Sequence, residues 1–204
     1  FKNLNTFNPK VRNKIRKISK NNLNFYISSN EHSINNFKNL YFKTLDRLKA
    51  DKFYYFRKIF FNRLSELLGK NGFIISVTDS KNNLIGSSIF LTFQNMMHYH
   101  LSALENKNTF PGIHNFILYQ AYLEAKKRNI SFCNLGGGIS NKLEDNLLIF
   151  KKSMSNAFSK FYFGFKIYNQ IKYDQIKKKF KKNNPKNFQL HRKKILCYRY
   201  DQIN

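Results

Sequence analysis

The sequence predicts an α/β chain in the sense that includes α+β, with a mixed, mainly antiparallel sheet flanked by helices. Three observations carry this expectation. Residues 8–21 and 33–68 repeat apolar side chains at helical spacing, the period changes to that of strands at Phe73, and from Gly112 helical and strand-like runs alternate. At 204 residues, 42% hydrophobic and 17% aromatic, the chain can bury one substantial core and is not a disordered polar polymer. The expected organisation is a single domain over residues 1–204, with a basic N-terminal helix in 1–21 and a C-terminal helix and strand in 169–204.

The first helix is expected over Asn8 to Asn21, opened by Asn8-Pro9 and carrying Val11, Ile15 and Ile18 on one face. Leu23 to Ser28 reads as a strand. Two helices follow, Ser33 to Lys49 with Phe37, Leu40, Tyr41, Thr44, Leu45 and Leu48, and Lys52 to Leu68 with Phe53, Phe56, Phe60, Leu64, Leu67 and Leu68; Gly69 and Gly72 close the second. Phe73 to Thr78, Leu84 to Phe93 and Met97 to Leu104 are β-rich runs separated by Asp79-Ser80-Lys81-Asn82-Asn83 and Gln94-Asn95, the pattern of an antiparallel meander. A loop, Glu105 to Pro111, leads to a helix at Gly112 to Arg128, and a short strand at Ile130 to Leu135 is then parallel to its predecessor. A helix at Glu144 to Asn156 and strands at Lys160 to Tyr168 and Phe188 to Tyr200, with a lysine-rich helix at Asn169 to Lys182 between them, complete the order.

The formal charge is +26, from 37 Lys and Arg against 11 Asp and Glu. Because it accompanies an excess of Asn, Ile, Phe and Tyr, as in A/T-rich coding, most of it reads as a solvated surface. The rest suits a polyanionic partner: RNA, a nucleotide-linked substrate or an anionic membrane met peripherally. Cys133 and Cys197 lie 64 positions apart with no CxxC and no histidine at ligand spacing, so neither a disulfide framework nor a metal site is indicated. There is no apolar run of spanning length and no signal-peptide core, which makes the cytoplasm the expected address. Phe1 in place of Met suggests that residues precede it.

Chemistry is suggested most strongly by Cys133-Asn134-Leu135-Gly136-Gly137-Gly138 and the helix after it. Three glycines allow positive φ and close approach of a ligand to backbone N–H groups, although the same run also makes a plain tight turn. Leu147, Phe150, Met154 and Phe158 form an apolar stripe, and Lys151 lies at its edge. Lys151 is either a functional ammonium or a snorkelling surface residue. His98 and His100 are expected on one face of their strand, continued by Ser102, with Tyr99 opposite. His100 is then a candidate proton acceptor or a hydrogen-bonded structural residue. Asp145 reads as an N-cap or as a group that orients a substrate, and Asp46-Arg47 as a surface ion pair or an anion contact. Neither cysteine nor any serine has a nucleophile motif around it, so hydrolase chemistry gets no support.

The order of elements resembles the GNAT acyltransferase fold, in which the fourth and fifth strands splay and the acyl donor lies in the gap. Local strings resemble the Fem-type branch, whose members transfer aminoacyl groups to peptidoglycan precursors. Arg12-Asn13-Lys14-Ile15-Arg16-Lys17 is similar to "RxxIRKA", and Tyr41-Phe42-Lys43-Thr44-Leu45-Asp46-Arg47 with Tyr54-Tyr55-Phe56 to "Y..TMDR....YYFF". Tyr99-His100-Leu101-Ser102 resembles "YHLSGS", Leu135-Gly136-Gly137-Gly138 with Asp145-Asn146-Leu147 and Phe150-Lys151 resembles "LGGG....DSL..FK", and Phe163-Gly164-Phe165-Lys166-Ile167 resembles "YIGKKI". Ala103-Leu104 and Asn146 depart from the pattern, only one such domain is present, and Glu105 to His114 does not match the coenzyme A signature Q/RxxGxG/A.

The resemblance implies an N-acyltransferase acting on an amine of a cell-envelope precursor, peptide or amino sugar. Its donor is aminoacyl-tRNA or acyl-CoA, with no covalently bound cofactor. Lys151, His100 and Asp145 are then the catalytic candidates; Phe150, Tyr99, Ser102, Gly136, Gly137, Gly138 and Arg47 are the binding candidates. An acetyl-CoA-dependent acetyltransferase of an amino sugar or small amine, and a non-catalytic module that binds RNA or anions, are the alternatives. DNA is not an expected partner.

Overall fold

The computed structural model describes residues 4–106, 110–139 and 144–200; part of the expected loop from Glu105 to Pro111 lies outside them. Helix α1, Pro9–Lys20, starts where Asn8 Oδ1 accepts the Val11 N–H at 3.0 Å and Pro9 fills the first turn, which has no use for its missing N–H. Strand β1, Asn24–Ser28, and helix α2, Glu31–Leu48, follow, the latter capped by Asn30 and closed by Lys49 in the left-handed region. The expected helix from Lys52 is divided. Asp51 caps a single 3₁₀ turn, Lys52–Tyr54, and helix α3 begins only at Lys58 and runs to Asn71. Gly69 is therefore inside the helix, not at its end.

Strands β2, Gly72–Thr78, β3, Leu84–Phe93, and β4, Met96–Leu104, form the expected meander, and β1 pairs antiparallel with β2. Helix α4, Ile113–Lys127, crosses to β5, Phe132–Asn134, which lies parallel to β4, so the sheet order is β1-β2-β3-β4-β5. Helix α5, Asn146–Ser153, follows.

Every residue of β2 is buried because both sheet faces are covered. On one face Phe73, Ile75, Val77, Phe90, Met97 and Tyr99 pack with Val11 and Ile15 of α1 and Ile113 and Ile117 of α4. On the other, Ile74, Ile89 and Ala103 pack with Phe37 and Leu40 of α2 and Phe61, Leu64 and Leu68 of α3.

The chain divides into two compact units, one up to Phe158 and one from Ser159. The second contains helix α6, Gln170–Asn183, and helix α7, Pro185–His191, with Phe180 and Cys197 buried within the fold. Two expected strands are corrected here. Lys160 to Tyr168 has no regular structure, and Phe188 to Tyr200 holds the end of α7 and the 3₁₀ turn Cys197–Arg199. Aromatic residues favour strands only when a neighbouring edge supplies hydrogen bonds and packing. At the second site Pro185 at the first helical position, with its pre-set φ, starts a helix instead.

Candidate active site

The parallel pairing of β4 and β5 lasts for three residues, Met96–His98 against Phe132–Asn134. From Tyr99 onward no strand among the described residues lies beside β4 on that edge, because the chain leaves β5 through the glycine run. Asn134 Oδ1 accepts the Gly136 N–H at 2.7 Å, and Gly136 takes φ +71°, which glycine adopts without strain. The result is a gap bounded by β4, the glycine turn, α4 and α5.

Asp145 ties this turn to α5. Its Oδ1 accepts the Leu148 N–H at 2.9 Å as an N-cap, and Oδ2 accepts the Ile139 N–H at 2.8 Å. A Cβ on Gly138 would lie 2.7 Å from the Asp145 carboxyl carbon, so glycine is required for this approach. The N-cap reading of Asp145 is the one observed.

Lys151, in the last turn of α5, reaches back across the gap and donates from Nζ to the Gly137 carbonyl at 2.7 Å. Nζ also lies 6.0 Å from the centroid of the Tyr99 ring. Partial burial lowers its pKa, and the Asp145 carboxylate works against that fall. Lys151 is thus not a freely solvated side chain on the helix surface.

On the other wall, Ser88 and Ser102 hydroxyls share a hydrogen bond of 2.8 Å, and Ser102 Oγ lies 3.3 Å from His114 Nε2. The His114 ring packs 5.6 Å from Phe150, between centroids. Burial first, and the Arg47 guanidinium second, push the His114 pKa down to about 4, so the imidazole is neutral at pH 7. Tyr99 is buried on the same side; desolvation raises its pKa, and the Ser102 and Ser88 hydroxyls pull it the other way. His114 was missed in the sequence because nothing but its place in the first turn of α4 marks it.

His98 and His100 share a face opposite Tyr99, as expected, but the place of Ser102 on that face needs correction. Ile89 pairs with Leu101 and Phe90 with Tyr99, leaving His100 as the extra residue of a β-bulge. The extra residue reverses the alternation, so Ser102 joins the face of Tyr99 and α4. His100 lies on the opposite face, with its ring 6.4 Å from Phe60. His98 and His100 rings are 5.7 Å apart. Burial lowers both pKa values; the second influence is Lys151 for His98 and His98 for His100. Of the two, His98 is electrostatically coupled to the lysine.

Asp46 and Arg47 do not pair with each other. Asp46 Oδ1 accepts the Tyr55 hydroxyl at 2.7 Å, while Arg47 Nη2 donates to the Leu104 carbonyl at 3.1 Å, beside Thr44 Oγ1, which accepts the Leu104 N–H. Arg47 therefore stands at the end of β4, close enough to affect His114. Two open hollows, of about 420 Å³ between β1 and α4 and about 630 Å³ beside Asn36, Lys43, Asp79 and Glu105, lie outside the gap; neither is lined by Lys151, His114, Tyr99 or Ser102. Among the described residues no group of three His, Cys, Asp or Glu is placed to hold a metal ion.

No family model matches the chain, and no curated protein matches it. Among solved structures, FemX superposes with a TM-score of 0.60 at 13% identity, over 74% of this chain and 54% of FemX. An aminoglycoside acetyltransferase from an uncultured soil metagenomic sample, in complex with sisomicin, gives 0.53 at 15% identity over 71% of this chain and 97% of that one. Ribosomal-protein-alanine N-acetyltransferase from Brucella melitensis biovar Abortus 2308 gives 0.52 at 12% identity over 71% and 99%. The fold is that of the GNAT acetyltransferases. At these identities the likeness is one of fold, and this chain spans about half the length of FemX. The GNAT arrangement expected from the order of elements, with its fourth and fifth strands diverging, is present in β1 to β5.

Proposed function

We propose that this chain is an N-acyltransferase that moves an acyl or aminoacyl group from an activated donor to an amine, in the gap between β4 and the glycine turn. The observation that carries the reading is Lys151, whose ammonium is held on the Gly137 carbonyl across that gap. In such a transfer the amine nitrogen attacks the donor carbonyl, and the C–S bond of a thioester or C–O bond of an ester breaks. An oxyanion develops in between. A preorganised ammonium at the gap stabilises that oxyanion more than the ground-state carbonyl, which is the requirement for acceleration.

Ser102, with Ser88 and His114 behind it, supplies hydroxyl and imidazole groups on the opposite wall. An imidazole with a pKa near 4 is a poor base for an ammonium, so the part of His114 is to orient the Ser102 hydroxyl. His98 and His100, whose rings lie 5.7 Å apart, are the imidazoles left to take the proton lost by the amine. Gly136, Gly137 and Gly138 expose backbone to the donor, Phe150 and Tyr99 form the apolar walls, Arg47 adds positive charge at the acceptor end, and Asp145 holds the turn to α5. The basic surface suits aminoacyl-tRNA as donor; an acyl-CoA thioester, which asks less of the surface, is the other donor class in this reading. An amine of an envelope precursor, peptide or amino sugar is the acceptor in this reading.

The test is transfer of label from acetyl-CoA and, separately, from a mixed aminoacyl-tRNA pool to a panel of amine acceptors. Label reaching an amine from one donor supports the reading and names the donor class. Transfer from neither across the panel refutes catalysis.

A further inference from the structure

The second unit carries a surface that acyl transfer does not use. Within Phe161-Tyr162-Phe163-Gly164-Phe165-Lys166-Ile167-Tyr168, the five aromatic side chains are between 65% and 89% exposed, and Ile171 at the start of α6 is 74% exposed. Single exposed apolar residues are ordinary; five aromatic rings within eight positions make a patch that needs a partner. The same unit is strongly basic. Residues 159–204 contain thirteen Lys or Arg against two Asp and no Glu. Lys177, Lys178 and Lys179, with Lys181 and Lys182, form a block on α6, separated in sequence from the rings.

We infer that this surface docks the protein on an anionic lipid bilayer. The phenylalanine rings enter the headgroup and upper acyl region, Tyr162 and Tyr168 sit at the polar boundary, and the lysines of α6 meet the lipid phosphates. Two observations favour a bilayer over single-stranded RNA. Three of the five rings are phenylalanines with no polar handle, and Lys166 is the one charged side chain among residues 161–168. RNA grooves interleave stacking rings with cations and amides, whereas an apolar insertion beside a separate polybasic block is the pair of weak signals that together anchor a protein to an interface. The segment has no regular backbone hydrogen bonding, so its peptide groups stay at the hydrated headgroup level while the rings go deeper. Among the described residues no helix is long and apolar enough to cross a membrane, and the contact is interfacial.

Co-sedimentation with vesicles tests this without reference to acyl transfer. The protein is expected to bind vesicles of equal parts phosphatidylglycerol and phosphatidylcholine, and to bind pure phosphatidylcholine at least about tenfold more weakly. The triple variant Phe161→Ser, Phe163→Ser, Phe165→Ser and the triple variant Lys177→Gln, Lys178→Gln, Lys179→Gln each lose about tenfold in partitioning to the anionic vesicles. Added salt abolishes the difference between wild type and the lysine variant, and leaves that of the phenylalanine variant. The rings, Lys178 and Lys179 are exposed and Lys177 rests on the Tyr173 ring at the surface, so both variants are expected to keep the wild-type circular dichroism. Equal binding to neutral and anionic vesicles, or no binding, overturns the inference. So does binding of poly(U) that is tighter than vesicle binding and lost in the phenylalanine variant, which makes the surface an RNA site; so does a concentration-dependent dimer that the same variant abolishes, which makes it a self-association face.

Discussion

Replacing Lys151 by Met keeps the apolar stem and removes the ammonium. In the resting protein this costs little, because the one hydrogen bond at 2.7 Å to the Gly137 carbonyl is solvent-exposed. A bond of that kind contributes about 1 kcal/mol or less, and the liberated carbonyl finds water. In the transition state the loss is larger. A preorganised donor to a developing oxyanion is worth about 3 kcal/mol, a fall of about 100-fold in kcat. The two magnitudes separate a functional lysine from a packing one. Single-turnover transfer from the donor identified by labelling, measured for wild type and Lys151→Met, is expected to show at least a tenfold fall and about 100-fold at full effect, with thermal midpoints nearly equal. The direction of pH dependence follows. The ammonium must be protonated to act, and burial lowers its pKa, so wild-type activity is lost as pH rises through that lowered value and the alkaline limb disappears in Lys151→Met. Unchanged turnover in the variant, or a fall in turnover matched by a large loss of stability, refutes the assignment.

Three further outcomes are expected. Asp145→Ala removes both the α5 cap and the anchor of Ile139, and urea unfolding is expected to show a loss of about 1–2 kcal/mol, while Asp145→Asn loses less because the amide oxygen still caps. His114 is neutral in the folded protein with a pKa near 4 against an ordinary value of 6.5, so the unfolded chain binds more protons between these values. Stability is complete above about pH 6.5, falls by up to about 3 kcal/mol as pH drops to 4, and loses this dependence in His114→Gln. Burial raises the Cys133 thiol to about 12, so at pH 8 it is expected to react with a thiol reagent far more slowly than in urea-unfolded protein; equal rates would mean that it is not desolvated.

The sequence made most of the first 135 residues legible because their signals are local and agree with one another. Asn8-Pro9 starts a helix for a reason contained in two residues, and the turns at Asp79 and Gln94 separate runs that have no other use than as strands. The glycine turn, Asp145 and Lys151 were legible as a group because capping and a stripe edge are properties of a single helix. At Lys160 to Tyr168 the structure departs for a non-local cause. Lys160 to Tyr168 has the composition of a strand, but a strand exists only with a paired edge, and the pairing cannot be read from one segment.

The bulge at His100 shows the same limit at the scale of one side chain. Alternation along β4 assigns Ser102 to the histidine face, and a single extra residue, set by the register with β3, moves it to the face of Tyr99 and His114. This displacement decides which imidazole meets the serine. His114, unmarked in the sequence, joins the gap, while His100 turns toward Phe60 and the α2–α3 layer. A reading of catalytic pairs from strand periodicity therefore requires an unbroken ladder. Where the chain bulges beside a splayed edge, the residues that meet are those the three-dimensional register selects, and here they are Tyr99, Ser102, His114 and Lys151.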